Sequence, residues 1–250
     1  MAITIKTQQQ IEKMRIAGKI LAQLDEILRN EIKPGITTKQ LDTIAENYIR
    51  SQGAVPSFKG YGGFPASICT SVNDEIVHGI PSLKMLKAGD IISIDMGAYI
   101  GGFHGDAART YGVGEISDEA QKLIDVTRQS FFEGIQFAKS GCYLNEIGEA
   151  IQDYVEKNGF SVVRRYVGHG VGKNLHEDPE VPNYKTVKRG PKLQKAMTLA
   201  IEPMVNMGTY ELKVMKDGWT AVTKDGKFSA HYENTVLITD EKPELLTLID

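Results

Sequence analysis

Two stretches of this 250-residue chain match one another in residue type at an offset of 106. GITTKQLDTIAENYIRSQG runs from Gly35 to Gly53, and GCYLNEIGEAIQDYVEKNG runs from Gly141 to Gly159. Between these terminators Leu41, Tyr48 and Ile49 correspond to Ile147, Tyr154 and Val155. The first stretch reads as a capped helix: Thr37 and Gln40 stand at capping-box spacing, Leu41, Ile44, Ala45, Tyr48 and Ile49 recur at helical spacing, and Gly53 ends it. Each copy follows a further amphipathic segment, one carrying Ile16, Ile20, Leu24 and Ile27, the other Leu123, Val126, Phe131 and Ile135. Downstream, IISID and TLAIE are short alternating strands ending in a carboxylate, and Asp95 and Glu202 lie 107 apart. Two amphipathic helices can look alike by chance. Helices, terminators and strands recurring in one order instead confine the chain to two related halves, about 1–110 and 111–250, each of helices followed by sheet. Duplicated halves tend to face each other, which would bring the acids to a seam.

Composition bounds what such a chain can act on. With 29 basic and 32 acidic residues and a net charge of -3, no basic stripe points to nucleic acid and no basic amphipathic segment to a membrane surface. The start, MAITIKTQQQIEKMR, lacks the apolar core of a signal peptide, and no run approaches the ~18 apolar residues of a membrane span. The expectation is a cytoplasmic, soluble protein. Cys69 and Cys142 lack CxxC spacing and indicate neither a disulfide framework nor a cysteine zinc site.

The acids need partners. Asp95 and Asp106 flank a Gly101-Gly102 turn in a hairpin-like stretch, where paired positions come within ~5 Å. Glu233, in SAHYENTVLIT, precedes a Val-Leu-Ile run in the same style as Asp95 and Glu202. Singly, each acid suits a half-exposed strand; four set in or beside strands do not, because an unpaired charge there is costly. Nearby lysines lie mostly in polar segments, so a divalent metal fits better. Oxygen ligands with an imidazole and no thiolate suit Mn(II), Fe(II), Co(II) or catalytic Zn(II), and bridging carboxylates suit two ions ~3.5 to 4 Å apart.

The stretch GHGVGKNLHEDP, residues 168 to 179, offers the imidazole. It is not a phosphate-binding loop, since three residues separate Gly168 from Gly172 and Lys173 precedes Asn174. Nor is HEDPE a zinc-protease helix, because the second histidine is missing and Pro179 breaks it. Its composition is poor for helix and for strand, and a flexible, tightly approaching loop is expected.

Taken in order, Asp95, Asp106, His169, Glu202 and Glu233, in SIDMG, FHGDAAR, VGHGVG, AIEPM and HYENT, closely resemble the pattern of type I bacterial methionine aminopeptidases. KPGITTKQLD, CTSVNDEIVHGIP and the Trp219 region extend the resemblance over essentially the whole chain. It implies an α+β pita-bread fold: a curved antiparallel sheet with four outer helices and internal pseudo-twofold symmetry, in a single catalytic domain, 1–250. It further implies two divalent cations, with Asp95 on one, His169 and Glu202 on the other, and Asp106 and Glu233 bridging. By the same resemblance a metal-bridged hydroxide attacks the first peptide bond, Glu202 is the general base, His176 assists the developing oxyanion and His78 contacts the substrate amide. Tyr61, Phe64, Cys69, His78 and Trp219 would surround a methionine side chain, soft and apolar as a thioether prefers. Without the family, YGGF reads as a mobile aromatic loop. His104 and His231 are left as structural.

Two positions depart from the pattern. Asn234 stands where relatives commonly carry His, and is expected to tune metal affinity from outside the ligand set. Phe58 stands where some carry Cys, which affects the pocket's shape. The substrate implied is a peptide or nascent chain, at the ribosome, with an unformylated amino-terminal methionine and a small second residue; the family implies a monomer. An Xaa-Pro aminopeptidase or prolidase shares the fold and metal set but generally carries a large amino-terminal domain, whereas the repeat here begins by about residue 10. A non-catalytic peptide-binding relative would have lost ligands, and here all five are present. No Cys/His-rich extension points to the eukaryotic type I form.

Overall fold

The computed structural model of the protein describes residues 3–248. Among them, four α-helices come as two pairs, α1 (Gln8–Glu31) with α2 (Thr38–Ser51), and α3 (Asp118–Gly134) with α4 (Leu144–Lys157). Both α2 and α4 span 14 residues and start 106 apart, so the helical repeat is reproduced in the structure. At the start of α2 the Gln40 N–H donates to the Thr37 hydroxyl, 3.2 Å, and the Thr37 N–H donates to Gln40 Oε1, 2.8 Å, a complete capping box. At the matching Tyr143 the N–H donates to Glu146 Oε2. Gly35 and Gly141 both lie at φ +96° before these helices, with Gly53 and Gly159 at +72° and +88° after them. A Cβ there would cost about 1–2 kcal/mol, so glycine recurs at all four corners.

The first half supplies β1 (Val55–Pro56), β2 (Ile68–Val72), β3 (Glu75–Val77), β4 (Ile91–Ile100) and β5 (Phe103–Gly112). The second supplies β6 (Ser161–Val162), β7 (Gly168–Gly170), β8 (Glu177–Val181), β9 (Thr198–Ile201), β10 (Met204–Asn206), β11 (Leu212–Val214), β12 (Ala221–Thr223), β13 (Ser229–His231), β14 (Glu233–Leu237) and β15 (Glu244–Leu245). Nine strands form one antiparallel sheet in the order β1-β4-β5-β14-β9-β7-β8, with β2 also paired to β4 and β15 to β14. The halves join where β5 meets β14, Ala107 opposite Asn234. Gly101 and Gly102, at φ +61° and +88°, close the β4–β5 hairpin with the two positive φ angles of a type I′ turn.

Strand periodicity then decides where the acids go. Ile92, Ile94 and Met96 of β4 pack with Leu21, Leu24, Leu41 and Ile49 of the first helix pair. Leu199 and Ile201 of β9 and Val236 of β14 pack with Leu123, Phe131, Ile147 and Ile151 of the second pair. Successive side chains alternate faces, so Asp95, Asp106, Glu202 and Glu233 all emerge on the side away from the helices.

Two strand regions and one helix differ from expectation. β4 is buried almost throughout instead of alternating, since β3 and β13 also contact it. SAHYENTVLIT divides into β13 and β14, which pair in different sheets. Ile16 is 53% exposed, and the buried stripe of α1 runs instead through Met14, Ala17, Leu21, Leu24 and Leu28.

Candidate metal centre

Four carboxylates and one imidazole converge on that free face. On the hairpin Asp95 lies opposite Ala108 and Asp106 opposite Gly97, making the two acids diagonal neighbours rather than a directly opposed pair. Glu233 arrives across the central pairing, opposite Ala108. His169 Nε2 is 3.7 Å from Asp106 Oδ2 and 3.6 Å from Glu202 Oε1. Donor atoms of Asp106, His169 and Glu233 all lie within 4.8 Å of one another.

The electrostatics call for a cation. Asp95 Oδ1, Asp106 Oδ1 and Glu233 Oε1 are buried without a hydrogen-bond partner. Burial pushes Asp95 up to about 7, and burial with mutual repulsion holds Asp106, Glu202 and Glu233 well above the usual carboxylate range. Such a cluster is costly until positive charge enters it, and oxygen donors with one imidazole match a divalent ion. His169 is prepared for that role. Its Nδ1 lies 2.9 Å from the Gly170 carbonyl oxygen, which only accepts, so the proton sits on Nδ1 and Nε2 turns a lone pair toward the acids. Burial lowers its pKa to about 3, keeping the ring in the neutral, ligating form.

The glycines of the GHGVG stretch are not a flexible loop. Gly168–Gly170 is a strand, β7, with His169 paired to Ala200 of β9. None of Gly168, Gly170 and Gly172 has a positive φ. What they lack is room: a Cβ would fall 2.3 Å from the Ala200 carbonyl oxygen at Gly168, 2.3 Å from the Asp178 carbonyl oxygen at Gly170 and 2.6 Å from Glu177 Oε1 at Gly172. Close approach is their function. A buried ion pair that sequence reasoning missed, Lys6 Nζ to Glu177 Oε2 at 2.7 Å, secures the turn beside His176. Lys6 and Glu177 lie 171 positions apart, and nothing local announces their meeting.

Asn234 does not sit beside the acids. It is on the opposite face of β14, its Oδ1 accepting from Arg109 Nη2 at 2.7 Å and from the Thr247 hydroxyl at 2.9 Å. Arg109 in turn donates to the Glu233 carbonyl. Any influence on the cluster therefore runs through the β14 backbone. His104 ties elements together, Nδ1 to the Ser57 hydroxyl at 2.9 Å and N–H to the Gly172 carbonyl at 2.8 Å. His231, in contrast, points its Nε2 at the acids, 3.8 Å from Glu202 Oε2 and 4.0 Å from Glu233 Oε2. Its position two residues before Glu233 was the only signal in the sequence.

A cavity of about 190 Å³ opens onto the cluster. Every residue assigned from sequence to metal or substrate lines it: Asp95, Asp106, His169, Glu202 and Glu233 at one end, Tyr61, Phe64, Cys69, His78, His176 and Trp219 around the rest. Phe58, Phe64, Cys69 and Leu175 form an apolar wall with Trp219 packed on it, the Phe64 and Trp219 rings meeting edge to face at 5.2 Å. Leu175, Tyr166, Val77 and Met204 were not singled out in the sequence. YGGF holds a 3₁₀ turn, Tyr61–Gly63, and the Tyr61 hydroxyl is 2.7 Å from His176 Nδ1. His78 adopts φ +61°, uncommon for a side chain of its size and often found where a site holds a residue in place. Burial lowers it to about 4, so the ring is neutral.

With this geometry in view, residues 12–240 match the family described as metallopeptidase family M24. The chain belongs to metallopeptidase family M24. Within M24 it is 58% identical to a methionine aminopeptidase of Clostridium perfringens over 247 residues, 99% of each chain. It is 56% identical to methionine aminopeptidase 1 of Bacillus subtilis, covering 99% of this chain and 100% of that one. Its structure superposes on that of a methionine aminopeptidase from Thermotoga maritima with a TM-score of 0.97 at 47% identity, over 99% and 100% of the two chains. A prolidase from Pyrococcus furiosus, at 23% identity and TM-score 0.79, shares the fold, and this chain covers 66% of it. The fold is the α+β pita-bread fold of M24 enzymes, and the family implies divalent metal ions. Among the described residues no helix is long and apolar enough to cross a membrane.

Proposed function

We propose that this M24 enzyme removes amino-terminal methionine from peptides and nascent proteins with a small second residue, using two divalent cations held by Asp95, Asp106, His169, Glu202 and Glu233. The observation that carries this is a cavity in which a wall of Phe58, Phe64, Cys69, Leu175 and Trp219 ends at the acid cluster. Its small volume suits one residue, so the bond presented to the cluster is the first peptide bond. A thioether suits aromatic rings and a thiol.

Bound cations supply Lewis acidity and lower the pKa of water. The chain's residues handle the rest. Glu202, beside His169, accepts the proton of the attacking water and returns it to the leaving amine. His176 accepts a hydrogen bond from the Tyr61 hydroxyl at Nδ1, which leaves Nε2–H to donate to the carbonyl oxygen as it becomes negative. His78, edge-on to Tyr166 at 5.2 Å, orients the substrate amide. Because the acids come from strands of both halves, residues 1–250 act as one catalytic unit. The reading extends, by the family resemblance of the sequence, to a cytoplasmic monomer working on nascent chains.

The test uses EDTA-stripped protein with Met-Ala-Ser and Ala-Pro-Ala peptides, with and without Mn(II), Fe(II), Co(II) or Zn(II). Metal-dependent release of methionine alone supports the proposal and ranks the metals, whereas cleavage of only the proline peptide moves the enzyme to the prolidase side of its family. Sedimentation and ribosome pelleting address the assembly.

A further inference from the structure

Besides the carboxylate oxygens, a ring nitrogen beside the cluster is also without a partner. His231 closes β13 at 2% exposure, and its Nε2 is buried without a hydrogen-bond partner. That nitrogen is 3.8 Å from Glu202 Oε2, while His169 Nε2 is 3.6 Å from the other oxygen, Oε1. Glu202 is therefore bracketed by two imidazoles. The backbone fixes this arrangement from both sides. The His231 N–H donates to the Thr110 hydroxyl at 2.9 Å, the same hydroxyl donates to the His231 carbonyl at 2.8 Å, and His231 pairs with Met204, two residues past Glu202.

We propose that His231 is a positioning residue whose Nε2–H donates a hydrogen bond to Glu202 Oε2, so that Oε1 faces His169 and the cations. The inference rests on the reading of Glu202 as ligand and base. A donor role fits better than a further metal ligand. The donor atoms within mutual reach are those of Asp106, His169 and Glu233, and His231 addresses the oxygen of Glu202 that His169 does not. A carboxylate turns easily about its last torsion, which is broad, and a small turn closes the 3.8 Å gap. A fixed donor removes that freedom, and such outer partners of metal ligands are typically worth ~10–100-fold in affinity or activity.

The test compares His231→Leu with His231→Gln as stripped proteins. It reads Mn(II) affinity by titration calorimetry, thermal midpoint without metal, and kcat and KM on Met-Ala-Ser. The leucine variant is expected to bind Mn(II) ~10–100-fold more weakly and to lose kcat at saturating Mn(II) with KM little changed. Its metal-free midpoint should change little, because Nε2 stands 3.8 Å from Glu202 with no formed bond for leucine to remove. Glutamine keeps a donor at similar reach and should restore affinity and kcat to within about threefold of wild type. Wild-type affinity and kcat in the leucine variant, or glutamine no better than leucine, overturns the proposal. Should the leucine variant fail to fold, His231→Asn replaces it: asparagine ends one bond short, so parity with glutamine overturns the idea and a deficit supports it. Wild-type protein that binds Mn(II) but releases no methionine would sink the activity reading instead, and the affinity comparison still decides His231.

Discussion

Substituting Gly168 with alanine tests whether the glycines of β7 exist for closeness. The new Cβ would lie 2.3 Å from the Ala200 carbonyl oxygen and 3.2 Å from Val181 Cβ, pinned between β9 and β8. Contacts below 3.0 Å are essentially unknown for Cβ, so β7 must retreat from β9 by about 0.7 Å, the difference between 3.0 and 2.3. His169 is the next residue and moves with it. Metal ligands hold their distances to about 0.2 Å, so this shift is several times the tolerance. The expected result is a loss of ~1–3 kcal/mol in urea unfolding of stripped protein. Mn(II) affinity should fall more than ~10-fold and methionine release with it. Gly141→Ala is the control, because at φ +96° it meets nothing within 4 Å. It should cost about 1–2 kcal/mol from backbone strain and leave Mn(II) affinity unchanged. Wild-type affinity in the Gly168 variant, or equal affinity losses in both, would refute the argument.

Other consequences concern the acids and the wall. Asp95 has a folded-state pKa raised from 3.8 to about 7, above its unfolded value, so its stabilising contribution is complete below 3.8 and lost as pH rises to about 7. Stripped protein should accordingly lose on the order of 2–4 kcal/mol between pH 4 and 7 in urea titrations, and Mn(II) at about 100 times its Kd should return ~2.7 kcal/mol near neutrality. Glu202→Gln should lower kcat at least ~100-fold in steady-state assays with Mn(II) saturating, and retained turnover would remove Glu202 from the proton path. Trp219→Ala should raise KM for Met-Ala-Ser about 10-fold or more with the metal-free midpoint nearly unchanged; an effect confined to stability would place Trp219 outside the substrate pocket.

Much of this molecule is written in local pattern. Capping residues, glycine corners and apolar spacing act within a few residues of one another, so α2, α4 and their repeat at 106 are legible from the order of residues alone. The alternation of strands carries the acids too: Asp95, Asp106, Glu202 and Glu233 share the face that the helices leave free, and period 2 fixes that face once the apolar residues claim the other. Their order with His169, and the aromatic residues that meet in one cavity, are legible as a resemblance to a family. What stays hidden depends on contacts between distant segments. The diagonal register of Asp95 and Asp106 is set by the pairing around Gly101-Gly102, and the burial of β4 on both faces by β3 and β13. Asn234 belongs to Arg109 and Thr247 because β14 turns it away from Glu233, and Lys6 reaches Glu177 across 171 positions. Gly168 looks in sequence like a flexible joint; only the nearness of the Ala200 carbonyl shows that it is a place where no side chain fits. Residue type and spacing thus specify which groups are chemically able to hold a metal and which face of each strand carries them. Their distances, their burial and the meeting of His231 with Glu202 belong to the folded chain, because those follow from packing between elements that no local pattern encodes.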